Sequence, residues 1–206
     1  KRAVYGQNSQ KVSGMEVMLP YSGKLFGVPR NLDIYGTMNT ADRSIALLDT
    51  ALRRRFDFEE LIPDENIIKG AGGDGYIPDG EGGLINLRAL FQAMNKRIRF
   101  LLNRDKMLGH SYFCRITTFS SLKKVMLQKI VPLLQEYFYE DWKRIQLVLR
   151  DIGPEGKRMD PQIIQHATAN AIEVLGVEND EYEEIVEYQV ARPESLTPDA
   201  FKKIYE

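Results

Sequence analysis

The sequence predicts an α/β segment followed by a mostly helical domain, and three observations carry that reading. Short runs rich in β-formers, separated by turn residues, occupy positions 15–61. From Leu84 onward apolar residues recur at three- and four-residue steps, the period of a helix with one buried face. Between the two lies residues 69–83, where seven glycines in fifteen positions break the composition.

In chain order, residues 15–28 read as a hairpin. Met15 to Leu19 alternates in part, Tyr21-Ser22-Gly23-Lys24 is turn chemistry, and Leu25 to Val28 returns. Leu32 to Met38 reads as a strand, running into the polar cluster Asn39 to Ser44. A helix is expected from Ser44, with Ile45, Leu48 and Leu52 on one face. Its end carries Arg53, Arg54 and Arg55, charges that suit a helix C-terminus. Phe56 to Leu61 reads as a further short strand. The glycine-rich stretch is expected to be a flexible connector.

Beyond it, Leu84, Leu87, Phe91, Met94, Ile98 and Leu101 form one helical stripe, with Arg88, Gln92, Asn95 and Arg99 elsewhere on the wheel. A second amphipathic helix is expected over 119–137, kinked or broken at Pro132. Residues 142–149 suit a short helix or strand, 160–175 a helix, 184–190 a strand and 198–205 a last helix. The resulting division is 1–68 for the α/β part, 69–83 for the connector, 84–150 for a helical domain and 151–206 for its extension.

Composition narrows the function. The 28 basic and 29 acidic side chains nearly cancel, so nothing demands nucleic acid as a direct partner of this segment. No apolar run approaches the roughly 20 residues that span a bilayer. A single cysteine, Cys114, fits a reducing cytoplasm. One Cys with two distant histidines, His110 and His166, argues against a metal site.

Chemistry concentrates where the strand 32–38 ends. Asn39 offers an amide that donates to one oxygen and accepts from another, the equipment for orienting a water beside a phosphate. The arginine run, one helix away, suits stabilisation of phosphoryl charge at a neighbouring subunit. Spacing alone favours plainer roles, with Asn39 capping a helix and Arg53 to Arg55 forming a solvated helix end.

The wording of the motifs goes further. Met38-Asn39-Thr40-Ala41-Asp42-Arg43-Ser44 followed by Ala51-Leu52-Arg53-Arg54-Arg55-Phe56 resembles the sensor-1 and arginine-finger signature of McrB-type AAA+ proteins, the GTP-hydrolysing motors of modification-dependent restriction systems. A second block, Met94-Asn95-Lys96-Arg97-Ile98, Leu102-Asn103-Arg104-Asp105 and Gly109-His110-Ser111-Tyr112-Phe113, is similar to that family's helical lid. Leu19-Pro20-Tyr21-Ser22 and Val28-Pro29-Arg30-Asn31-Leu32 resemble its pre-sensor hairpin. The resemblance runs through about residues 15–140 and fades after about 150, where Tyr188 and Ile204-Tyr205 remain compatible with it. Asp105-Lys106-Met107 departs from it, standing where many relatives carry an Asp-His pair.

The resemblance implies a partial AAA+ core (hairpin, sensor-1 strand and following strand) with a helical lid. It makes Asn39 the residue that positions the attacking water and Asp42 the acid of the Asn-Thr-Xaa-Asp signature. Arg54 and Arg55 become the arginines that complete a neighbour's site, joined less firmly by Arg53. His110 and Ser111 fall where the lid approaches nucleotide, or else form a hydrogen-bonded turn between lid helices. It further implies GTP or ATP with Mg2+ in the whole protein, a ring of identical subunits (a hexamer), an McrC-like nuclease subunit, and DNA bound through an N-terminal domain.

Other features of this catalysis are missing. No Gly-x-x-x-x-Gly-Lys-Ser/Thr loop occurs, and no apolar run ends in Asp-Glu, so the chain alone is expected to be inactive. In the family these motifs precede a hairpin like 15–28. A core beginning after them would leave an unpaired strand edge and an apolar face, which predicts association. Gly70, Gly72 and Gly75 match the Gly-x-Gly-x-x-Gly spacing, but without the strand before and the helix within that a dinucleotide site requires. Two further readings stand beside the motor: a non-catalytic lid and assembly module, and an ATP-using chaperone of the MoxR-like or dynein-like AAA+ groups.

Overall fold

The structure is a computed structural model that describes residues 4–5, 11–13, 16–28, 31–37, 56–170 and 184–206. The chain divides into two compact units, Lys1–Ala46 and Leu47–Glu206.

In the first unit, β1 (Val4–Tyr5) pairs antiparallel with β2 (Lys11–Ser13), a ribbon the sequence did not suggest. The expected hairpin follows as β3 (Val17–Met18) against β4 (Leu25–Phe26), with Val17 opposite Phe26. Gly23 adopts φ +64° at its turn and donates to the Leu19 carbonyl at 3.0 Å. The expected strand at 32–38 is irregular over residues 32–37, and Met38 lies outside the described residues. Phe56 to Leu61, in the second unit, is irregular as well. A strand exists only through a partner's hydrogen bonds, and among the described residues neither segment is paired in a ladder. An AAA+ core sheet is therefore not displayed by the described residues. The helix expected from Ser44 lies outside them.

The second unit holds one continuous core. The glycine-rich stretch proves to be folded rather than a flexible connector. It contains β5 (Tyr76–Pro78), which pairs antiparallel with β6 (Leu84–Asn86) and buries Ile77 and Ile85 completely. Gly70 and Gly75, the ends of the Gly-x-Gly-x-x-Gly match, both have positive φ. A Cβ on Gly70 would collide with the Tyr76 backbone, and one on Gly75 would meet the Arg88 side chain at 2.7 Å. Close packing therefore requires these glycines, with no phosphate needed to explain them.

The helix expected from Leu84 begins three residues later, because 84–86 are consumed by the hairpin. Asn86 caps α1 (Leu87–Leu101), its side chain accepting from the Ala89 N–H at 3.0 Å. Leu87, Leu90, Phe91, Met94 and Ile98 are buried, and so is Asn95, which belongs to this stripe rather than to the polar face.

The second amphipathic segment forms α2 (Phe119–Val125), a π turn (Met126–Ile130) and α3 (Val131–Phe138). A reciprocal Thr118–Ser121 capping box starts α2. Pro132 has no N–H to give the carbonyl four residues back, and its ring would press on that group. The wider π turn, closed by Val131 N–H to the Met126 carbonyl, lets the chain remain helical through the proline.

Then α4 (Trp142–Leu149) forms, capped by Asp141, whose side chain accepts from the Arg144 N–H at 3.2 Å. Where a helix is expected at 160–175, residues Ile164–Asn170 instead form β7, paired over seven residues with β8 (Glu184–Val190), and 171–175 lie outside the described residues. Ala167 and Ala169 favour a helix locally, and pairing with β8 overrides that preference. Finally α5 (Asp199–Lys202) seats Phe201 against Phe119, edge to face at 5.4 Å. Among the described residues no helix is long and apolar enough to cross a membrane.

Buried polar groups tie the tail to the core. The Asp151 carboxylate is fully buried and accepts from the Ile163 N–H (2.9 Å), the Ile164 N–H (2.6 Å) and Lys203 Nζ (2.6 Å). Burial pushes the Asp151 carboxyl up and the Lys203 ammonium down, while their mutual attraction opposes both shifts. Arg97 donates to the carbonyls of Val148 (2.9 Å) and Ile204 (2.7 Å), joining α1 to α4 and to the closing residues.

Candidate functional site

The predicted site residues Asn39, Asp42, Arg53, Arg54 and Arg55 all lie outside the described residues. His110 and Ser111 are described. They occupy a single turn of 3-10 helix, His110–Tyr112, between α1 and α2. Ser111 is exposed and His110 half-buried.

The turn is positioned from below by α1. Asn95 pairs both ways with Leu108, its amide nitrogen donating to the Leu108 carbonyl at 3.1 Å and its amide oxygen accepting from the Leu108 N–H at 2.6 Å. This two-point grip satisfies a buried main-chain donor and acceptor together. It also fixes the backbone two residues before His110. Leu108 and Phe113 bury their side chains on either side of the turn, with Phe113 edge-on to Phe91 at 5.3 Å. Upstream, Asn103 caps a 3-10 turn at Arg104–Lys106, accepting from the Lys106 N–H at 3.1 Å. Lys106, at the departure from the family pattern, lies over the Tyr137 ring at 4.7 Å.

The turn also reaches the segment that comes after the arginine run. The Asp64 N–H donates to His110 Nδ1 at 3.1 Å. Accepting at Nδ1 sets the neutral tautomer with its proton on Nε2. Asp64 in turn caps the 3-10 turn Glu65–Ile67, accepting from the Asn66 N–H at 2.9 Å. Two more side-chain pairs join the same regions: Arg104 to Glu60 at 2.7 Å, and Gln92 donating to Glu65 at 2.6 Å. Sequence reasoning missed these supporting residues. An available signal was Asn95, expected off the stripe: four residues after Phe91 and three before Ile98, it shares their helical face, where a polar residue needs a partner.

Among the described residues no group of three or more His, Cys, Asp or Glu is arranged to hold a metal ion. None is assigned as a magnesium ligand.

A capped helix, a turn-rich connection held by a buried asparagine, and a second helical segment across the core define a small helical domain. Residues 86–146 match the family model described as McrB, alpha-helical lid domain. A curated relative, the Type IV methyl-directed restriction enzyme EcoKMcrB subunit of Escherichia coli (strain K12), is 34% identical over 157 residues, which cover 66% of this chain and 32% of the relative. Residues 86–146 thus resemble the McrB lid, and the chain spans about a third of the length of the curated relative it matches.

Proposed function

We propose that this chain is part of a nucleoside-triphosphate-hydrolysing motor subunit of a DNA-restriction complex, supplying sensor 1, trans-acting arginines and the lid. One observation carries the reading. The signature residues Met38 to Ser44 and Ala51 to Phe56 precede, in the family's order, a segment that matches the McrB lid model. Two independent features in the right sequence are far less frequent by chance than either alone.

In this reading the Asn39 amide orients the attacking water against a phosphate oxygen, and Asp42 holds the surrounding water network. Arg54 and Arg55, with Arg53 in a lesser role, reach the nucleotide of the neighbouring subunit, where a guanidinium stabilises charge developing on the transferred phosphoryl group. His110 and Ser111 approach the nucleotide from the lid side. GTP is the favoured nucleotide and ATP the alternative. Magnesium, when bound, neutralises phosphate charge; its ligands and the phosphate-binding loop are assigned to sequence outside these 206 residues. The subunits form a ring, a hexamer in this proposal, working in the cytoplasm with an McrC-like nuclease. DNA is bound through a separate N-terminal domain.

The absence of a phosphate-loop signature from the sequence favours one second reading, a non-catalytic lid and assembly module. GTP and ATP hydrolysis by this chain and by its full-length parent, measured side by side, separates the two. The motor reading expects turnover in the parent alone, faster with GTP. A parent that hydrolyses neither nucleotide would leave the module, and turnover by the 206-residue chain alone would contradict both.

A further inference from the structure

Three lid-side contacts converge on the irregular segment just beyond the arginine run. Arg104 pairs with Glu60, His110 Nδ1 accepts from the Asp64 N–H, and Gln92 donates to Glu65. Arg104, His110 and Gln92 all lie within the matched lid, residues 86–146. On the other side, Arg55 precedes Glu60 by five residues and Asp64 by nine.

These contacts differ in what they fix. Arg104 and Glu60 are 49% and 63% exposed, so water screens their pairing and the two long side chains keep much of their freedom. Gln92 and Glu65 likewise meet at the surface. The His110 contact is partly buried and acts on a main-chain N–H, so it holds the backbone itself. Pro63, immediately before Asp64, has its φ fixed by its ring and restricts Ile62 as well, stiffening the chain between the Glu60 and Asp64 ties. Ile68, just beyond, is completely buried and anchors the far end in the core.

We infer that His110 is a positioning residue: through Nδ1 and the Asp64 N–H it holds the segment 56–64, which follows the arginine run in sequence, in register with the lid. A lid that moved on nucleotide binding would thereby act on the chain segment that directly follows Arg55. The inference rests on the proposed role of Arg54 and Arg55. It differs from a nucleotide contact by His110, which would use the other ring nitrogen, Nε2.

Side-chain geometry supplies a discriminating test. An asparagine amide superimposes on the Nδ1 position of histidine, whereas a glutamine amide reaches the Nε2 position. Steady-state hydrolysis of GTP, and of ATP, by the full-length protein would be compared for His110→Ala, His110→Asn, His110→Gln, Arg55→Ala and the His110→Ala/Arg55→Ala double variant. Hydrogen exchange at the Asp64 amide would be followed in the same proteins.

The expected result for His110→Ala is a fall in kcat of about threefold to tenfold, the net worth of one hydrogen bond, with KM unchanged. Exchange at Asp64 should quicken by a similar factor. His110→Asn should restore both, His110→Gln neither, and His110→Ala should add nothing once Arg55 is removed. A raised KM rescued by glutamine would make His110 a nucleotide contact and overturn the proposal, as would unchanged exchange at Asp64. If Arg55→Ala slows turnover but His110→Ala slows it further by the same factor, the coupling fails while the arginine reading stands. If Arg55→Ala turns over at the parental rate, the arginine reading fails and the coupling falls with it.

Discussion

At the scale of single residues, two buried polar side chains govern the turns of the second unit. Asp79 is 3% exposed at the tip of the β5–β6 hairpin. Its carboxylate accepts from the Glu81 and Gly83 N–H groups, each at 2.8 Å, and from Lys202 Nζ at 2.7 Å. The Lys202 hydrogen bond, helped by the Glu81 N–H, lowers its pKa from the ordinary 3.8 to about 2. A carboxyl lowered in the folded state gives up its proton there more readily than in the unfolded chain, so its stabilisation is present above 3.8 and disappears as pH falls toward 2. Urea unfolding between pH 5 and 2 should therefore show stability falling through that window, and Asp79→Asn should flatten this part of the profile. A variant with an unchanged slope would remove Asp79 from the acid response. For Asn95→Ala, the Leu108 N–H and carbonyl both lose their partner in a buried place. The expected loss is about 1–3 kcal/mol in urea unfolding. A change within experimental error would mean that water replaces the amide.

At the scale of elements, local pattern and partner contribute unequally. The segment 119–138 was legible because both its stripe and its interruption are local: Leu122, Met126, Ile130 and Leu134 recur at fours, and Pro132 has a fixed steric consequence. The β7–β8 ribbon was only half legible, since β8 reads as a strand and β7 does not. Its seat on α4 explains the outcome. Trp142 stacks on Tyr188 at 5.7 Å and 7°, Tyr188 lies beside its cross-strand neighbour His166, and Gln146 donates to the Ile164 carbonyl at 2.9 Å. Trp142→Ala should loosen the ribbon without loosening α1. Hydrogen exchange should accelerate at Ile164 to His166 and at Tyr188 to Val190, with Leu90 to Ile98 still protected. Equal acceleration in α1 would show ribbon and helices unfolding as one cooperative unit.

At the scale of the whole molecule, the proposed chemistry lies between subunits. Arg55→Ala in the full-length protein should lower hydrolysis by at least about a thousandfold, the effect of removing an arginine that stabilises phosphoryl charge in trans. Mixing that variant with subunits that keep Arg55 but lack their own phosphate-binding lysine should restore turnover, because each supplies what the other lacks. Asn39→Ala, acting within its own site, should not be rescued by the same arginine donor. Rescue of both, or of neither, would contradict the division into a sensor acting in cis and arginines acting in trans.

Short-range pattern was enough for the likeness to the McrB lid, the span of its helices and the hairpin at 15–28, because motif wording, helical period and turn residues are all local. The rest of the described fold depended on contacts between distant parts of the chain. Packing turned the glycine-rich stretch into an ordered hairpin, since Gly70 and Gly75 allow main chain and Arg88 to approach too closely for any Cβ. Pairing made a strand of 164–170, since β8 supplies a ladder 14 or more residues away in the chain. Folding placed Asn95 on Leu108 and His110 on Asp64, 13 and 46 residues apart. Hydrogen-bond partners at such separations leave no period in a sequence, because satisfaction of a polar group depends on which distant donor the fold brings to it.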